Sequence, residues 1–101
     1  MFVYNITIKV DTNIADEWLQ WQKEINIQQV LDTGLFYDHR IFKLLDQDET
    51  DGKTFVIQFF ADNRKDYERY MQYHSADLLD KTKKKWGDQF ITFRTLLQAV
   101  Q

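Results

Sequence analysis

His74 is the residue best equipped for chemistry. On a helix it shares one side with Tyr67, Tyr70, Met71 and Leu78, so an imidazole sits among apolar and phenolic side chains. At neutral pH such a ring serves as a general base, a haem ligand or a proton shuttle. The competing reading is a buried histidine hydrogen-bonded to a neighbour. No second His stands at ligand spacing on this helix, which excludes a His pair there, and zero Cys excludes any thiolate metal site.

Two arginines come next. His39 and Arg40 are adjacent on a strand and point to opposite faces; Arg40 shares its face with Phe42 and Leu44, and Arg94 shares its own with Phe90 and Thr92. An arginine among apolar strand residues needs a carboxylate, a carbonyl or an anionic ligand. That makes each an anion clamp for a substrate, or half of a salt bridge to Asp38 or a helix acid. Gln58 and Asn5, with Thr7 and Thr92, are polar positions in apolar strands. They line a wet cavity or satisfy one another. The ligand-binding candidates are therefore Tyr67, His74, Arg40, Arg94 and Gln58, with His74 the catalytic candidate.

Other features read as structure. Trp18, Trp21 and Trp86 at helical spacing suit a core better than a ligand cage. The basic run Lys81 to Lys85 suits a solvated face at a helix C-terminus. The three glycines are too far apart for a phosphate loop. There is no GxSxG elbow and no HExxH, and the acidic stretch Asp46 to Asp51 lacks EF-hand spacing. No cofactor and no metal is expected.

The elements that must position these residues follow from periodicity. Phe2 to Val10 alternates as a half-buried strand. Asn13 is placed to cap a helix over 14–31, whose stripe is Ile14, Trp18, Trp21, Ile25 and Gln28, with Leu19 and Gln22 beside it and with Ile27, Val30 and Leu31 widening the apolar face near its end. Gly34 stops it. A second strand is predicted over 35–46, a turn ending in Asp51-Gly52, and a third strand over 53–61. Asn63 caps a second helix that Ser75, the only serine, can interrupt before Trp86. A fourth strand occupies 88–100. The order β-α-β-β-α-β is the ferredoxin-like plait, an α+β fold with a four-stranded antiparallel sheet.

With 101 residues, 44% hydrophobic and 29% charged, the chain is one domain, too apolar to be disordered and too interrupted to span a membrane. A net charge of −3 argues against a nucleic-acid partner. The N-terminus enters a strand directly with no leader pattern, so a cytoplasmic location is expected.

Strand three is apolar on both faces, with Phe55, Ile57 and Phe59 on one and Val56 and Phe60 on the other. Two helices cover only one face. The simplest cover for the second is another copy of the same sheet, giving a homodimer. The expected form is a dimeric α/β barrel with a small-molecule pocket between sheet and helices.

The segments Trp18-Leu-Gln-Trp21, Arg40-Ile-Phe-Lys-Leu-Leu45, Thr54-Phe-Val-Ile-Gln-Phe-Phe-Ala61, Asp66-Tyr-Glu-Arg-Tyr70 and Phe93-Arg-Thr-Leu-Leu97 resemble a small bacterial family, the domain of unknown function 4286. The resemblance implies a cytoplasmic, dimeric ferredoxin-like protein and carries no activity of its own. Fold relatives of that type include cofactor-free quinol monooxygenases, muconolactone-type isomerases and haem-degrading enzymes, an analogy of fold alone. Three readings of function stay open: a small-molecule binder, a cofactor-independent enzyme on a small aromatic or carboxylated substrate, and a protein-interaction module.

Overall fold

The computed structural model describes residues 1–101. Four strands, β1 (Phe2–Val10), β2 (Asp38–Lys43), β3 (Lys53–Ala61) and β4 (Phe90–Gln98), form one antiparallel sheet in the order β2-β3-β1-β4. Between β1 and β2 run a 3-10 turn (Thr12–Ile14), α1 (Ala15–Trp21), a π-helical turn (Gln22–Asn26) and α2 (Ile27–Asp32). Between β3 and β4 run α3 (Arg64–Tyr73) and α4 (Ser75–Trp86). No helix is long and apolar enough to cross a membrane.

Strand alternation divides the sheet cleanly. Tyr4, Ile8 and Val10 of β1 and Phe55, Ile57, Phe59 and Ala61 of β3 are buried under the helices. Trp18, Ile27, Val30, Tyr70 and Trp86 come down from the helices to meet them. Phe36 lies just outside β2 and is buried against Tyr4, Phe59 and Tyr70, with ring centroids 5.0–6.0 Å away. The regular strand accordingly begins only at Asp38, after Phe36, and it runs to Lys43, shorter than the apolar pattern over 35–46 suggests.

The expected barrel is not formed. β2 pairs only with β3, and β4 only with β1, so the sheet ends in two open edges. Closing a barrel needs a continuous hydrogen-bonded ring of strands. Here the helices cover one face of an open sheet and leave the other bare.

The helix ends also differ in part. Asn13 lies inside the 3-10 turn, with Asp11 preceding it and no side-chain cap. Asn63 does cap α3, its Oδ1 accepting the Asp66 N–H at 3.0 Å. Gly34 and Gly87 end their helices at φ 76° and 63°, left-handed values that a Cβ disfavours.

The π turn changes which residues face inward. The buried positions are Ala15, Trp18, Gln22, Ile27 and Val30, steps of three, four, five and three. An α-helix repeats every 3.6 residues and cannot hold the five-residue step on one face. The wider turn absorbs it, moving Ile27 inside and leaving Ile25, expected on the stripe, 45% exposed. Accordingly, Ile27→Ala is expected to cost about 2–5 kcal/mol in denaturant unfolding, and Ile25→Gln no more than about 0.5 kcal/mol. Equal losses at the two positions would mean a regular helix through this segment.

Candidate functional site

Between the covered face of the sheet and the helices lies a cavity of about 70 Å³. A water needs roughly 10–15 Å³ of such space, so this one holds a handful of waters or a single small ring. Ile6, Ile8 and Ile57 from the sheet, with Trp18 and Leu78 from the helices, make most of its wall apolar.

The polar groups come in two sets. The first gathers at Arg94. β4 pairs Arg94 with Ile6, an inward-facing residue, so alternation carries its guanidinium to the helix side. Its Nη1 donates to the Ser75 Oγ at 3.2 Å. Ser75 is buried and opens the twelve-residue α4, where the positive end of the helix dipole lies. Tyr4 completes the set. Burial pushes its phenol above the usual value, while the Arg94 guanidinium and the Ser75 hydroxyl oppose that shift. Tyr70, also on the wall, is raised by burial and then by Tyr4. Both phenols therefore stay neutral, and able to donate, at physiological pH.

Arg94 forms no ion pair with a carboxylate. The ion pairs join Lys43 and Lys53 to Glu49, Arg64 to Glu68, Arg69 to Asp66 and Lys84 to Asp80. Arg94 also borders a shallow cleft outside, with Leu79, Lys83 and Asp88. The cavity thus meets solvent between α4 and the edge strand β4, with a cation at the rim.

The second set is Gln22 and Asn26, on either end of the π turn. Asn26 Nδ2 donates to Gln22 Oε1 at 2.8 Å. Thr82 and Thr92 add hydroxyls, the first donating to the Leu78 carbonyl at 3.0 Å. Trp18 buries its indole N–H without a partner.

Of the five expected ligand-binding residues, Arg94 alone lines this cavity. Arg40 pairs with Gln58, and both lie on the bare face, across the sheet from it. Gln58 Nε2 donates there to Asn5 Oδ1 at 3.1 Å. His74 is the residue between α3 and α4, its ring stacked on Tyr70 at 6.2 Å and off the cavity wall. Tyr67 sits edge-on to Tyr4 at 5.5 Å, likewise off the wall. Sequence reasoning missed Tyr4, Gln22, Asn26 and Ser75 as site residues. The available signal was Gln22, an amide beside an apolar stripe.

The profile of the domain of unknown function 4286 matches residues 1–100. No curated protein matches the chain. Among solved structures, a dimeric ferredoxin-like protein from an uncultured marine organism is 14% identical, with 100% of this chain and 96% of that chain covered and a TM-score of 0.74. HapK from Hahella chejuensis is 11% identical, with 99% and 93% covered and a TM-score of 0.71. A variant of SnoaB, a cofactor-independent oxygenase from Streptomyces nogalater, is 11% identical, with 99% and 94% covered and a TM-score of 0.63. At these identities the likeness establishes the fold.

The raised phenols carry a consequence for alkaline stability. A group whose folded pKa exceeds its unfolded one contributes stability that is complete below the unfolded value, about 10 for Tyr, and is lost as pH rises through the folded value. Unfolding free energy is therefore expected to fall above about pH 10, and Tyr70→Phe to flatten that decline. Denaturant melts between pH 8 and pH 11.5, taken as about two units below and one and a half above that value, check it. An identical slope in the variant would show that Tyr70 does not contribute.

Proposed function

The chain belongs to the domain of unknown function 4286 family, and we propose that it is a cofactor-independent enzyme acting on a small aromatic substrate bound as an oxyanion in the sheet–helix cavity. The observation that carries this reading is Arg94, a cation without a carboxylate partner at the rim of an apolar cavity. Arg94 is exposed on its outer side and presents donors to the cavity mouth, and hydrogen bonds to a charged oxygen are about twice as strong as neutral ones. The fold shared with a cofactor-independent oxygenase supports the reaction class. The cavity, about 70 Å³, suits one small ring.

Monooxygenation and isomerisation of this type begin alike. The substrate loses a proton and its charge settles on a phenolate or enolate oxygen. Arg94 stabilises that charge, Ser75 and Tyr4 supply hydroxyl donors beside it, and the positive end of α4 adds to the field. In oxygenation the carbanion then passes electrons to dioxygen, so that a CH2 group and O2 become C=O and water. In isomerisation the proton returns at a different carbon. No Asp, Glu or His lines the cavity, so the proton is proposed to leave to solvent at the Arg94 rim, with acidity of the bound substrate raised by the cation.

The working form is proposed to be a homodimer joined through the bare sheet face. That face leaves Phe93 65% exposed, Ile91 59%, Phe42 46% and Leu97 44%. Apolar rows of this kind mark association surfaces, and the dimeric state of a protein of the same fold supports it. The row Arg40, Gln58, Asn5 and Thr95 crosses the face between them and supplies polar contacts. The two sheets lie face to face, each keeping its open edges.

Two measurements test these readings. 4-Nitrophenol, whose ionised form is coloured, is expected to bind with its pKa lowered. Arg94→Met is expected to abolish the shift and to weaken binding by roughly tenfold or more. An unshifted pKa in the parent protein, or unchanged binding in the variant, contradicts the anion site. Oxygen uptake with small hydroquinones and no added cofactor then distinguishes oxygenase from isomerase chemistry. For the dimer, sedimentation at micromolar concentration is expected to give twice the chain mass, and Phe93→Asp to give the single-chain mass. A monomeric parent protein rules the dimer out.

A further inference from the structure

The π turn leaves a polar pair whose hydrogen-bonding capacity is only half used. The Asn26–Gln22 bond of 2.8 Å occupies the Gln22 oxygen and one Asn26 N–H. Gln22 Nε2 makes no hydrogen bond to the protein, and Asn26 Oδ1 accepts none. Gln22 is only 4% exposed, and both residues face the cavity. Gln22 Nε2 is not fully enclosed, unlike the indole N–H groups of Trp18 and Trp86, so it is left facing accessible cavity space where a ligand can meet it. A π turn within an α-helix is itself an uncommon insertion, concentrated at functional sites. Gln22 and Asn26, four residues apart, stand side by side on the helix face that lines the cavity.

We infer that Gln22 and Asn26 form a recognition element for a second polar group on the bound molecule, a carbonyl with a neighbouring N–H or O–H. Gln22 Nε2 donates to the carbonyl oxygen, and Asn26 Oδ1 accepts from the adjacent hydrogen. A primary carboxamide matches this donor–acceptor pair, and an enolised hydroxy-ketone presents the same pattern. The inference rests on the anion-site reading for the other end of the molecule. Arg94 comes from the edge strand and Ser75 from α4, whereas the amide pair comes from the first helical arm. The ligand class is therefore a single ring that carries an acidic oxygen at one end and a hydrogen-bonding carbonyl at the other. An apolar ring that lacks the carbonyl leaves the amide pair buried and unmet. Sites built around such hydrogen bonds reject analogues without them.

The test compares 4-hydroxybenzamide with 4-methylphenol, which share the phenol and differ at the other end. The parent protein is expected to bind the benzamide roughly tenfold or more tightly than the methylphenol. Gln22→Leu and Asn26→Leu are expected to bring the ratio to about one. The ratio in the parent protein stands as a test even where a variant does not fold. Equal binding of the two phenols by the parent protein overturns the amide site and leaves the anion site standing. So does a preference that survives in a folded Gln22→Leu protein. Failure of the parent protein to bind either phenol contradicts the anion site and the amide site together.

Discussion

Arg94 is an exposed residue of β4 that brings a positive charge to the mouth of an apolar cavity, and no carboxylate pairs with it there. Arg94 reaches the cavity because strand pairing sets it opposite Ile6 on the covered face. It stays partly hydrated because β4 is an edge strand and its rim opens to the cleft beside Lys83. Ser75 is positioned for it by the break between α3 and α4, which starts a new helix with its positive end near the same spot. Tyr4 is held neutral by burial and placed by its packing with Phe36, Tyr67 and Tyr70. Strand register, helix break and aromatic cluster thus converge on one cation, the group on which the proposed anion site depends.

The covered and bare faces of the sheet divide the work. The covered face carries the core and the cavity. The bare face carries exposed aromatic and aliphatic rows around Phe93 and Phe42. β3 is apolar on both sides: Phe55, Ile57 and Phe59 are buried inside, and Val56 and Phe60 stand on the bare face, the one proposed to join two copies. An open sheet with one bare face and two free edges has to limit edge pairing, and β2, only six residues long and carrying Asp38, Arg40 and Lys43, does so.

Much of this order was legible in the residues. Alternation in β1 and β3, the Asn63 cap and the glycine stops fixed the elements because each rests on local sterics or local hydrogen bonds. The open sheet was not legible, since closure depends on edges meeting rather than on any strand's pattern. The site was harder. The parity of Arg40 and Arg94 within their strands was clear, but strands apolar on both sides give no sign of which parity lies under the helices. The π turn was hidden because the 3.6-residue stripe runs through Ile25 and takes in Ile27 only at its widened edge, whereas the five-residue step from Gln22 puts Ile27 in the core. His74 drew attention as the only imidazole on an apolar helix side, yet the helix ends at Tyr73 and the ring turns onto Tyr70.

The most direct measurement is a crystal structure of the protein with 4-nitrophenol bound at saturating concentration. The account predicts the ring inside the cavity between Ile6 and Leu78, with its oxygen within about 3 Å of the Arg94 guanidinium and the Ser75 hydroxyl. A ring bound on the bare face beside Arg40, or a cavity left without it, would contradict the assignment of Arg94 as the anion clamp.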